Sequence, residues 1–123
     1  MIALTPGTLS RIRALFAEHD REAVAQALVE RCGDNLPLVH TGFVSLTERI
    51  RFAVLKLSDG DLGQLERYLY AASRDWRDVL LAAGFGVDVG AHLRWHPEPG
   101  PHHVSRHAPA GAAGEFPSKE RKP

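Results

Sequence analysis

Apolar residues recur at helical spacing along most of this chain and then stop. Thr5-Pro6 opens the first run, because proline just inside a helix start gives up an N–H that has no partner there anyway. Leu9, Ile12 and Phe16 follow, with Leu15 beside them, and predict a helix over about residues 6–18. Asp20 reads as the N-cap of a second helix, with Ala23, Val24, Ala27 and Leu28 on one face. Glu22, Gln26 and Glu30 form a polar ridge on another face, and Gly33 stands where a left-handed C-cap residue belongs. The connection over 34–44 is apolar for a loop, so Leu36, Leu38 and Val39 are expected to plug the core edge.

Ser45-Leu46-Thr47-Glu48 matches a capping box and predicts a third helix to about Lys56. Leu46, Ile50, Ala53, Val54 and Leu57 form its wide apolar face, and Phe52 and Leu55 fall off that face. A helix apolar on most sides is the central one of a bundle. Ser58-Asp59-Gly60-Asp61 reads as a turn, followed by a fourth helix from about Asp59 to Ser73. Its inner face is Leu62, Leu65, Tyr68, Leu69 and Ala72. Asp75 starts a fifth helix, with Trp76, Val79, Leu80 and Ala83 inward and Gly84 ending it. Asp88 caps a short sixth helix through about Trp95. The expected fold is all-α: a compact bundle of five helices plus a short sixth, spanning residues 1–96. Residues 97–123 are rich in Pro, Gly, Ala and His and nearly lack large apolar residues, so this segment is expected to be a disordered tail.

Charge changes this picture little. Fifteen basic and fifteen acidic residues cancel, which argues against nucleic acid and against an anionic membrane surface as partner. No apolar run approaches the length of a membrane span, and the N-terminus lacks the pattern of a secretory signal. A single cysteine, Cys32, can form no internal disulfide, which fits a reducing cytoplasm. Arginine outnumbers lysine twelve to three, a bias associated with GC-rich bacterial genomes.

The runs Glu30-Arg31-Cys32-Gly33-Asp34-Asn35-Leu36-Pro37 and Asp75-Trp76-Arg77-Asp78-Val79-Leu80-Leu81-Ala82-Ala83-Gly84-Phe85-Gly86 resemble those of short bacterial helical proteins that have no assigned activity. The resemblance covers roughly residues 9–95. It implies a shared fold and carries no site.

Candidate chemistry is sparse. His92 and His96 are spaced i, i+4 on the expected sixth helix, as a metal-binding pair requires, and His102, His103 and His107 follow. The competing reading is a low-complexity stretch that binds metal loosely. Cys32 lies near a helix C-terminus, where the dipole disfavours a thiolate, so a small buried thiol is expected rather than a nucleophile. Asp34, Asp75 and Asp78 could do acid–base work, but helix capping accounts for the last two. Asp59-Gly60-Asp61 is no calcium loop, because Tyr70 occupies the position that requires glutamate. A helix-turn-helix around Ser58–Asp61 would turn Asp59, Asp61 and Glu66 toward phosphates, which argues against that reading.

Phe85, Arg94 and Trp95 are the candidate interaction residues, because aromatic residues and arginine concentrate at interface hot spots. The expected function is a non-enzymatic protein-interaction or adaptor module that uses no cofactor. One alternative is a small enzyme, or an enzyme accessory subunit, built on the 33–44 loop. The other is a metal-handling protein using the C-terminal histidines.

Overall fold

The computed structural model describes residues 2–36 and 44–98. Leu38, Val39, the 97–123 tail beyond Glu98, and His102, His103 and His107 lie outside the described residues. Among those described there are five helices and no strand: α1 (Pro6–Leu15), α2 (Glu18–Arg31), α3 (Val44–Ser58), α4 (Leu62–Ala83) and α5 (Ala91–Arg94).

The central position of α3 is confirmed. Ile50, Phe52, Ala53, Val54 and Leu55 are all fully buried, although they cover every side of the helix. Each large apolar side chain buried this way contributes about 1.5–3 kcal/mol, so α3 organises the core. It packs mostly on α4 and also on α1 and α5. The expected fourth and fifth helices meet within α4 at a kink, where Asp75 has non-helical backbone (φ −157°, ψ 87°). Asp75 caps there as expected, its Oδ1 accepting from the Arg77 N–H at 3.2 Å. Leu65, Leu69, Ala72, Val79, Leu80 and Ala83 face the core, whereas Leu62 is exposed.

Several ends differ from expectation. α2 starts at Glu18 with Ala17 as N-cap, so Asp20 sits inside the first turn, favourable to the helix dipole rather than capping it. Ser45 lies within α3, and Glu48 turns to accept from Thr5 Oγ1 at 2.9 Å instead of closing a capping box. Asp61 caps α4, which starts at Leu62 rather than near Asp59, and accepts from the Gly63 and Gln64 N–H groups. Asp59 and Gly60 carry the turn at positive φ. The sixth helix shrinks to the single turn of α5, and residues 95–98 continue as an extended strap.

Gly84 ends α4 in the left-handed conformation at φ 84°, as its position predicted. Gly33 has no positive φ. A Cβ at Gly33 would stand 3.0 Å from Arg51 Nη2, so this glycine makes room for a side chain.

Cationic side chains finish the helix ends. The last carbonyls of a helix have no partners within it and carry partial negative charge. Arg21 donates to the Phe16 and Arg13 carbonyls at the end of α1. Lys56 donates to the Ala83 carbonyl at 2.8 Å, and Arg49 donates to the Phe85 carbonyl. The arginine-rich composition therefore has a structural use in this chain.

Candidate functional site

Two arginines that face inward define the least ordinary chemistry in the molecule. Thr8, Arg11, Ile12 and Leu15 share the buried face of α1. Arg11 is only 5 % exposed. Its guanidinium lies 4.1 Å from the centroid of the Phe52 ring and 5.7 Å from that of Trp95. It donates to the Trp95 carbonyl from Nη2 at 2.8 Å and Nε at 3.1 Å, and to the Gly7 carbonyl at 3.0 Å. Leu93 O at 3.4 Å and His96 Nδ1 at 3.3 Å complete the set. Arg11 thus holds α5 and the strap by their main chain. Burial lowers its pKa, and Glu48 opposes that shift.

Arg51 is the largest fully buried side chain among the described residues. It donates to Cys32 O (2.7 Å), Ala3 O (2.9 Å), Ile2 O (2.7 Å) and Leu28 O (3.5 Å). The first residues of the chain and the C-terminal carbonyls of α2 are joined through this one group. Burial lowers its pKa, while Cys32, Asp34 and Glu48 raise it. A guanidinium nevertheless stays charged in proteins.

Glu48 lies among these groups. It accepts from Thr5 and acts electrostatically on Arg11, Arg51 and His92. His92, on α5, is 5 % exposed and meets Phe52 and Phe85 edge-on, with centroids 5.3 and 6.2 Å away. Among the described residues its buried Nδ1 has no hydrogen-bond partner. Burial is the main reason its pKa lies below the ordinary value. Glu48 raises it, Arg49 and Arg11 lower it, and the Val89 carbonyl raises it without reaching hydrogen-bond geometry.

The shared helix face assumed for His92 and His96 does not form, because α5 ends at Arg94. His92 points into the core, whereas His96 lies past the helix end, exposed, against Arg11. A guanidinium that touches one imidazole and acts on the other opposes a divalent cation between them. Among the described residues no cluster of three or more His, Cys, Asp or Glu is placed to hold a metal.

Cys32 is fully buried, and burial pushes its thiol up to about 12 despite Arg51 beside it. It is the inert small thiol its position predicted. Asp34, Asp75 and Asp78 are exposed, Asp75 in its capping role. Ser10, Arg13 and Ala14 of α1 line a groove of about 300 Å³ with His96 and Pro97 of the strap; no carboxylate is in this lining.

Of the three expected interaction residues, Phe85 belongs to the core at 2 % exposure and offers no docking surface. Trp95 is half-buried against Phe52, Phe85 and Arg11. Arg94 is exposed and paired with Asp88. The exposed apolar groups lie elsewhere in this region: Leu81 (60 %), Val87 (91 %), Val89 (72 %) and Leu93 (55 %). Leu81 lies over Gly86, where any Cβ would collide with it.

Comparison with family models, with curated proteins and with solved structures finds no match to this chain, so the site is read from its own chemistry. Sequence reasoning missed Arg11 and Arg51, yet the signal was present. An arginine within a helix read as apolar on all sides has no solvent face to occupy, and Arg11 falls in the i, i+4 row of Thr8, Arg11, Ile12 and Leu15.

Proposed function

We propose that this chain is a protein-interaction module that docks a partner protein through the aliphatic rim where α4 ends and the strap begins. The carrying observation is the exposure of Leu81, Val87, Val89 and Leu93 within one short stretch of chain. Single exposed apolar residues are ordinary, whereas a group of them with charged residues beside it is the usual makeup of a docking surface. Asp88 and Arg94, paired with each other, supply that polar border, and Trp95, next in the chain, packs on Phe52 of the core. The scaffold around the rim is well tied: Lys56 and Arg49 fix the end of α4, and Arg11 fixes the strap. This reading replaces Phe85 with the valines and leucines around it. The enzyme alternative rests on the 33–44 loop, of which residues 37–43 lie outside the described residues.

The test is capture from the native lysate with the full chain and with Val89→Asp and Leu93→Asp as baits, after circular dichroism shows both variants folded. One protein enriched by the native chain and lost with both variants supports the reading. Enrichment that both variants retain overturns it, as does a native bait that enriches nothing. Light scattering of the pure chain separates a foreign partner from a second copy.

A further inference from the structure

We propose that His92 is a proton-operated latch: neutral, it seals residues 91–98 onto α1 and α3, and protonated, it releases them and uncovers the Arg11–Phe52 face. The latch stands whether or not the rim docks a partner.

α5 is one turn long, far too short to persist by itself. What anchors it is one buried side chain, His92, together with the Arg11 bonds to main-chain carbonyls and the half-buried Trp95. The imidazole sits between two phenylalanine edges. The charged groups around it come from every element it packs against: Arg11 from α1, and Glu48 and Arg49 from α3. Two guanidiniums thus oppose one carboxylate, and that carboxylate already accepts from Thr5. On its own side of the contact, Asp88 and Arg94 pair with each other outside.

A neutral ring tolerates this place, since an unprotonated nitrogen that lacks a donor costs little beyond its desolvation. Protonation makes both nitrogens donors and adds a charge. The Val89 carbonyl lies outside hydrogen-bond geometry for Nδ1, and the charge faces two like charges at a ring that is only 5 % exposed. The smallest motion that hydrates the ring lifts α5 and the strap about the link from Gly84 to Gly90, which carries three glycines.

The sign follows from linkage. The docked ring has its pKa below the ordinary 6.5, so the released state binds more protons. Docking is at full strength above 6.5 and weakens as pH falls below it, the released-to-docked ratio rising by at most about tenfold per pH unit for one proton.

The experiment uses the full chain carrying Trp76→Phe, which leaves Trp95 as the one indole. Emission and acrylamide quenching are followed from pH 8 to pH 5.5, with far-ultraviolet circular dichroism in parallel. The expected result is a red shift and at least twofold faster quenching toward pH 5.5, with helicity nearly unchanged. His92→Leu abolishes the transition and keeps Trp95 shielded at pH 5.5. His96→Ala, which removes the other imidazole on the strap, leaves the transition in place. A flat profile overturns the proposal, as does a transition that survives His92→Leu or disappears with His96→Ala. Should His92→Leu fail to fold, proton NMR of the His92 ring decides: titration in step with the Trp95 change supports the latch, and titration out of step overturns it.

Discussion

Arg11 and Arg51 use the same chemistry to opposite ends. Each is an arginine on the buried face of a helix, and each donates chiefly to main-chain carbonyls. Arg51, itself almost fully buried, joins the N-terminal residues and the end of α2 at the fully buried Cys32. Burial pushes its one neighbouring thiol well above the ordinary range. Arg11 holds a one-turn helix and an extended strap, with an exposed histidine among its acceptors and a buried one nearby. The first arginine makes a permanent joint, the second a clasp. The arginine itself does not set the difference; what it holds does, and whether any neighbour changes charge in the working pH range.

The largest expected effect tests the permanent joint. Arg51→Met leaves the buried Cys32 carbonyl and the part-buried Ile2 and Ala3 carbonyls without their donor and opens a void among the core side chains. Each unsatisfied buried group costs about 1–3 kcal/mol, so a loss of roughly 3–5 kcal/mol is expected, a large part of the stability of a small domain. Urea unfolding measures it. The same variant should speed the reaction of Cys32 with a thiol reagent at pH 8. A loss below about 1 kcal/mol would show that water replaces the guanidinium easily and that Arg51 is no joint.

Arg11→Met comes next. The Trp95 carbonyl lies near the surface and finds water once the donor is gone, so the expected loss is about 1–2 kcal/mol, the aromatic contact included. The sharper readout is local: Trp95 emission shifts to the red while Cys32 stays as unreactive as before. If Arg11→Met exposes Cys32 as much as Arg51→Met does, the two arginines belong to one cooperative unit and the contrast fails. Gly33→Ala has a smaller effect on the first joint. The added Cβ would stand 3.0 Å from Arg51 Nη2, and overpacking of that kind costs about 1 kcal/mol. Combined with Arg51→Met the penalty should vanish, because the obstructed atom is gone.

How much of this was legible follows the same division. The all-round apolar pattern of α3 placed it at the centre, and Phe52 and Leu55 are buried as that pattern requires. Asp75 and Gly84 marked a break and an end, because capping and left-handed backbone are local properties of one or two residues. Gly33 showed the limit of that logic. A glycine after a helix suggests positive φ, but here it answers to a side chain eighteen residues away on another helix. The strap was illegible for a related reason. Pairing from Arg11 to Trp95 O spans the whole domain and goes to main chain, which leaves no mark in the identity of the residue held. His92 and His96 at i, i+4 suggested a shared face only on the premise that the helix continues, and it stops between them.

The smallest expected effect bears on function. Arg94 and Asp88 form an exposed pair, and pairs of that kind contribute little to folding. The Asp88 carboxyl does sit below its usual range, chiefly because it accepts from the Gly90 N–H and then because of Arg94, so the carboxylate persists without the arginine as a loop cap. Arg94→Ala should therefore leave the melting temperature and Trp95 emission unchanged within error. If partner capture nevertheless weakens, Arg94 acts at the rim as an interface residue, and the clasp and the docking surface are adjoining but separable features. If Trp95 emission moves with Arg94→Ala, the pair helps to hold the strap down, and the clasp extends from Arg11 to the outer side of α5.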